Sequence, residues 1–227
     1  PSTPGRYRVA HEIVREVLYN GLPAPHAMTL HRRVAEALEL IYAAELDPHA
    51  AELAHHFAMA APVGTASEAI RYAARAAERA RDELAYEESV RLFTMALRSH
   101  ESQPDADAET RCELLLALGD AQTMAGEMAS ARHSFLRVAD IARQSGSPEM
   151  LARAALGYGG RIVWEPEHEF TQSLTTLLEE ALGGLPEDSL LRAKVLARFA
   201  CAAVSFRGGP VEARRRLLDD LEAHQDL

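Results

Sequence analysis

The chain has 227 residues, with 34 acidic side chains against 24 basic ones and a formal charge of −10. That length suits one large domain or one and a half small ones and buries a real core, while the acidic balance excludes direct gripping of nucleic acid, which needs a basic footprint. The longest charge-free runs are short and carry proline, which excludes a membrane span, and the two isolated cysteines, Cys112 and Cys201, make neither a disulfide framework nor a metal knuckle.

The opening Pro1-Ser2-Thr3-Pro4-Gly5 lacks the basic-then-apolar pattern of a secretion signal, so a cytoplasmic location is expected. Alanine makes up close to a fifth of the chain and β-branched residues are sparse, a mixture that favours helix. The chain starts without methionine and reads as a fragment of something longer. Residues 1–60 form a helical segment of their own. Val9 to Tyr19 reads as a helix, and Gly21-Leu22-Pro23 breaks it. A second helix carries Leu30-His31-Arg32-Arg33 through Glu39. A third runs over Asp47-Pro48-His49 to Phe57, with Asp47 as its expected N-cap and Pro48 in its first turn.

From residue 61 to 227 the text changes. Pro62, Pro104, Pro148 and Pro186 sit in polar clusters at nearly even intervals, and proline with glycine stops helices. Between them apolar residues recur at steps of three and four: Met128, Ala131, Phe135, Val138 and Ala142 share one stripe. A period of about 40 residues with two helices in each unit predicts an all-α, antiparallel helix-pair solenoid of about four pairs. In one unit Gly119 is followed by Ala131 and Phe135, and in the preceding unit Ala77 is followed by Ser89 and Phe93 at the same separations. A small residue lets two helices approach, and the aromatic plugs the gap to the next pair. Replacing Gly119 by leucine is therefore expected to overpack the second unit, typically by about 1–3 kcal/mol.

These spacings resemble the tetratricopeptide repeat. Ala77, Ser89, Phe93 and Ala96 fit one repeat, and Gly119, Ala131, Phe135 and Val138 fit the next. A third runs from Gly157 to Ala181 and Pro186 around a long loop holding Trp164, and a weaker fourth uses Cys201, Gly208-Gly209 and Ala213. The units exceed the family's length, and its early tryptophan and tyrosine are missing; an unrelated antiparallel α-solenoid is the alternative. The segment 1–60 resembles the end of the winged-helix region in signal-transducing NTPases, especially ATP-binding LuxR-type transcription regulators. His11, Glu12, Arg15, Glu16 and Tyr19 match, as do Leu30-His31-Arg32-Arg33 and Leu53-Ala54-His55-His56-Phe57; Val9 departs from the usual aromatic. The resemblance implies that His11 senses bound nucleotide in the full-length protein, the alternative being a histidine that caps or packs its helix. This segment itself carries no phosphate loop and no cofactor, so ATP or ADP would belong to the neighbouring module.

Catalytic chemistry is not expected. His49, Glu52 and His56 share a helix face but lack the His-Glu-x-x-His arrangement, so no metal is expected there. Leu156-Gly157-Tyr158-Gly159-Gly160-Arg161 is glycine-rich but follows a helix, not a strand, and reads as close packing rather than a phosphate cradle. Arg214-Arg215-Arg216 lies between acidic residues and reads as a solvated face. Repeats bind partners instead. In the tetratricopeptide family the first helix of each pair lines the groove, and the register puts Arg71, Glu78, Arg81, Glu113, Asp120, Tyr158, Arg161 and Arg198 there. Arginines mixed with carboxylates suit a protein, a peptide or another polar effector, with no membrane and no nucleic acid involved. Self-association stays open. The implied role is a non-catalytic regulatory or sensor segment controlling an adjacent NTPase. The alternatives are a stand-alone interaction scaffold, or the same module attached to a nucleotide cyclase or protein kinase.

Overall fold

The computed structural model describes residues 12–160 and 168–205. They form α1 (Glu12–Asn20), α2 (Ala24–Ile41), α3 (Ala50–Met59), α4 (Ala66–Asp82), α5 (Tyr86–Glu101), α6 (Ala108–Met124), α7 (Met128–Ser145), α8 (Pro148–Gly159), α9 (His168–Leu182) and α10 (Leu190–Ser205). No strand occurs among the described residues, and none of these helices is long and apolar enough to cross a membrane. From α2 onward each helix packs on its neighbour in the chain, α4 on α5, α5 on α6 and so on to α10, which gives an all-α stack of helix pairs. The prolines do punctuate it: Pro62 precedes α4, Pro104 separates α5 from α6, Pro148 opens α8 and Pro186 separates α9 from α10.

Local chemistry sets the ends of the helices. The Asp107 carboxylate accepts the Thr110 amide at 2.7 Å and so caps α6, and that bond holds Asp107 below the usual carboxylate range. Helix α7 stops on Gly146 in the left-handed conformation (φ 66°). Helices α4 and α6, first members of successive pairs, finish the same way: Ala85 N donates to Ala80 O at 2.7 Å, and Glu127 N to Gln122 O at 2.8 Å. The left-handed position is Gly126 in one case and Leu84 (φ 62°) in the other, so Leu84 carries the Cβ strain that glycine avoids.

The core is lined with small residues that let backbones approach. Ala69, Ala73, Ala76, Ala77 and Ala80 of α4 are buried, as are Leu92, Phe93 and Ala96 of α5, which packs on it. The buried Ser89 hydroxyl finds the Ala77 carbonyl at 2.8 Å, and Ser134 donates to Gln122 Oε1 at 2.8 Å, so neither hydroxyl is left unpaired. The Phe135 ring of α7 lies against Gly119 of α6 and Gly157 of α8. A Cβ at those glycines would stand 2.7 Å and 2.3 Å from ring atoms, so the expected wedge between neighbouring pairs is present.

Packing does not pause at residue 60. Phe57 of α3 stacks on Tyr72 of α4 (centroids 5.6 Å apart, 4° between planes), and Thr65 Oγ1 donates to the Phe57 carbonyl at 2.8 Å. The Tyr72 hydroxyl donates to Glu39 of α2, and burial together with that bond pushes the phenol up to about 12. Helices α2 and α3 thus share the core of the array. The expected N-cap at Asp47 is not made. Residues 47–49 form a 3₁₀ turn, α3 opens at Ala50 without a side-chain cap, and the Asp47 carboxylate pairs with Arg75 of α4. A guanidinium offers that carboxylate a charged donor, which an amide cannot match.

Ion pairs tie each unit to the next. Arg71 donates to Glu39 at 3.0 Å (α4 to α2), Arg137 to Glu101 at 2.8 Å (α7 to α5), Arg153 to Glu113 at 2.7 Å (α8 to α6) and Arg143 to Glu180 at 2.7 Å (α7 to α9). In every case the two partners stand close to one repeat apart in the chain.

Candidate functional site

The first helices of successive pairs line a cavity of about 780 Å³. Arg81 comes from the end of α4, Asp120 from α6, Arg153 from α8 and Lys194 from α10; Leu116, Leu156 and Leu191 supply apolar wall, and Phe135 borders it too. The geometry follows from helix periodicity. Arg81 and Thr123 lie four residues beyond Ala77 and Gly119, and Arg153 lies four before Gly157, so each shares a face with the small residue at its helix crossing. Chemically the groove offers three cations, one carboxylate and leucine surface, which suits an extended polypeptide with charged and apolar side chains.

Of the residues expected there, Arg81 and Asp120 border the cavity. Glu113 stands beside it as the partner of Arg153, which holds its carboxyl below the usual range. Arg71 lies elsewhere, 4.5 Å over the Tyr72 ring and paired with Glu39, so it joins α4 to α2. Glu78 is exposed on α4 away from the cavity, and Arg198 donates to the Gly159 carbonyl. Tyr158 is a correction. It holds the same register as Asp120 but is only 8% exposed, because Phe170 of α9 stacks on it (5.3 Å, 23°) and the Arg132 guanidinium covers Phe170 at 4.1 Å. His11, Arg161, Trp164 and Arg214 to Arg216 lie outside the described residues. Sequence reasoning missed Tyr86, Arg153 and Lys194. The spacing of Arg153 to Gly157 could have flagged it, and Lys194 is the chain's one lysine.

A second cluster joins α1, α2 and α3. The Tyr19 hydroxyl is 2.8 Å from His31 Nε2, and His31 Nδ1 is 2.8 Å from His56 Nδ1, with the His55 ring 5.8 Å from His31 and 5.3 Å from His56. His49 is drawn away from this group by stacking on Tyr42 at 3.4 Å. Among the described residues no group of three or more His, Cys, Asp or Glu is placed to hold a metal. The contact between the two Nδ1 atoms needs a single shared proton, and a second would set N–H against N–H. Burial first, and the neighbouring imidazoles second, lower the pKa of both His31 and His56; for His56 the Glu52 carboxylate opposes the shift. The folded chain therefore binds these protons less tightly than the unfolded one. Stability is full above the ordinary histidine value of about 6.5 and falls as pH drops through the folded values.

The melting midpoint is accordingly expected to fall between about pH 7.5 and about pH 5. In that window Glu88, Glu113 and Glu180, which arginines hold below 4.5, still keep their charge. A His31→Gln/His56→Gln variant should lose most of the fall, as followed by circular dichroism. A midpoint that stays level in the parent chain across this range would refute the assignment. No protein-family model matches this chain, and no curated protein matches it in sequence.

Proposed function

We propose that this chain is a non-catalytic regulatory arm of an ATP-dependent transcription regulator of the LuxR type, whose helix-pair groove receives a protein or peptide partner. Binding there would shift the adjacent NTPase between two states in proportion to its differential affinity for them. The observation that carries the reading is the cavity of about 780 Å³ bordered by Arg81, Asp120, Arg153 and Lys194 on successive first helices. Large apolar side chains left exposed on α1 and α2, among them Val17 (65%) and Ile41 (71%), also support a chain that packs against a neighbouring module.

Peptides selected from a display library for binding this chain are expected to lose at least about tenfold in affinity on Arg81→Glu or Arg153→Glu, since charged contacts in a partly dry groove are worth about 1.5–3 kcal/mol each. Fluorescence polarisation reads this directly. Affinities indifferent to both substitutions would place binding outside the groove and remove the proposal's basis. The attachment is tested separately by reading the coding sequence on both sides. A phosphate loop upstream and a helix-turn-helix downstream are expected. A cyclase or kinase would change the output, and a bare open reading frame would leave a scaffold.

A further inference from the structure

A separate pocket of about 540 Å³ opens between α3, the Ala61–Val63 turn and α5, away from the groove of the first helices. Its volume is in the range of small-molecule sites. None of the residues that border it is acidic, in a chain whose net charge is −10. His55, Arg91 and Arg98 supply its basic groups, while Met59, Met95 and Pro62 supply apolar surface. Arg91 is already engaged, its Nε and Nη2 donating to the Glu88 carboxylate at 2.7 and 2.5 Å. Arg98 is not: it makes no ion pair among the described residues. The nearest carboxylate along its helix, that of Glu101 one turn on, is taken by Arg111 at 3.1 Å and Arg137 at 2.8 Å.

An uncompensated guanidinium at the edge of a methionine-walled hollow matches one ligand chemistry. A carboxylate answers the charge, and a hydrocarbon body covers the thioethers and proline, which are soft enough to mould around different chains. We infer that this pocket binds a small amphipathic organic acid, its carboxylate on Arg98 and its apolar body against Met59 and Met95. A duplex or an extended acidic peptide fits less well, because Ala58, Ala61 and Pro62 add further apolar surface to the lining. His55 borders the pocket and also touches the ring pair His31–His56, so an acid bound here sits one side chain from the contact that joins α2 to α3.

The methionines make the test local. With methyl-¹³C methionine in the full chain, octanoate is the probe and octanol its uncharged counterpart. Octanoate is expected to shift the Met59 and Met95 methyl resonances while leaving Met124, which borders the other cavity, in place. Octanol should need at least about tenfold higher concentration for the same shifts, the factor expected for losing a charge-assisted hydrogen bond. Arg98→Gln should weaken octanoate by about the same tenfold factor. Because Arg98 is exposed, its melting midpoint should hold. Ser102→Glu, which sets a carboxylate at the pocket's border, should abolish the shifts with the remaining methyl spectrum retained. Octanol matching octanoate, an Arg98→Gln chain binding as before, shifts confined to Met124, or no shift at millimolar octanoate would each overturn the assignment. None of these outcomes depends on the peptide groove, which Arg98 does not border.

Discussion

Phe135→Ala is expected to destabilise the folded chain by about 3–5 kcal/mol, the range for deleting a large buried aromatic side chain. Phe135 is 2% exposed and its ring lies against two glycines on two different helices, which have no side chains to fill the space it would leave. Because a stacked array is held together by contacts between nearest neighbours, removing the wedge also uncouples α6 from α8. The single unfolding transition expected of the parent chain should therefore broaden or divide in urea, with the N-terminal pairs melting apart from α8 to α10. A loss below about 1 kcal/mol, well under the buried-aromatic range, would show that Phe135 does not occupy the crossing.

The second large effect runs in the opposite direction sterically. At Gly157 a Cβ would lie 2.3 Å from Phe135 Cε1, closer than any real contact, and at Gly119 it would lie 2.7 Å from Cζ. The ring or the helices must therefore shift. Gly157→Leu is expected to cost at least the upper part of the usual overpacking range of about 1–3 kcal/mol, with Gly119→Leu somewhat less severe. Coupling gives the sharper reading. In a Gly157→Ala chain, Phe135→Leu should recover part of the loss, because the smaller side chain yields the space the new methyl needs. Strict additivity of the two changes in chemical denaturation would mean that the residues do not touch.

Those two glycines illustrate what can be read in advance. Gly119, Phe135 and the proline clusters speak through spacing alone, and spacing is a local property of the text, so the helix pairs and their crossing are legible. What stays hidden depends on contacts between residues far apart in sequence. Tyr158 shares the register of Asp120, but whether it faces solvent is decided by Phe170, which lies on the next helix, α9. Asp47 stands where a cap belongs, and a guanidinium from α4 claims it. Phe57 falls outside the repeat spacing yet stacks on Tyr72, a contact across residue 60 that periodicity does not reveal. The left-handed position at the end of α4 is concealed by its occupant, since Leu84 stands where the next unit has Gly126. In the groove, Arg81 and Asp120 follow from the small-residue register, whereas Lys194 depends on how α10 packs over α8.

The bridges spaced one repeat apart have a mechanical meaning. Arg71–Glu39 and Arg153–Glu113 link first helices to first helices, and Arg137–Glu101 and Arg143–Glu180 link second helices to second helices. Between the two sets lies an interior in which alanine is the commonest buried residue, packed together with leucine and aromatic side chains. The stack is therefore tied on two sides, first helix to first helix and second helix to second helix, by part-exposed ion pairs that are each worth little alone. Arg153 borders the groove as well as holding one tie. Under the proposed groove reading, an occupant that draws its guanidinium off Glu113 would release one tie between α6 and α8 and leave the second-helix ties in place.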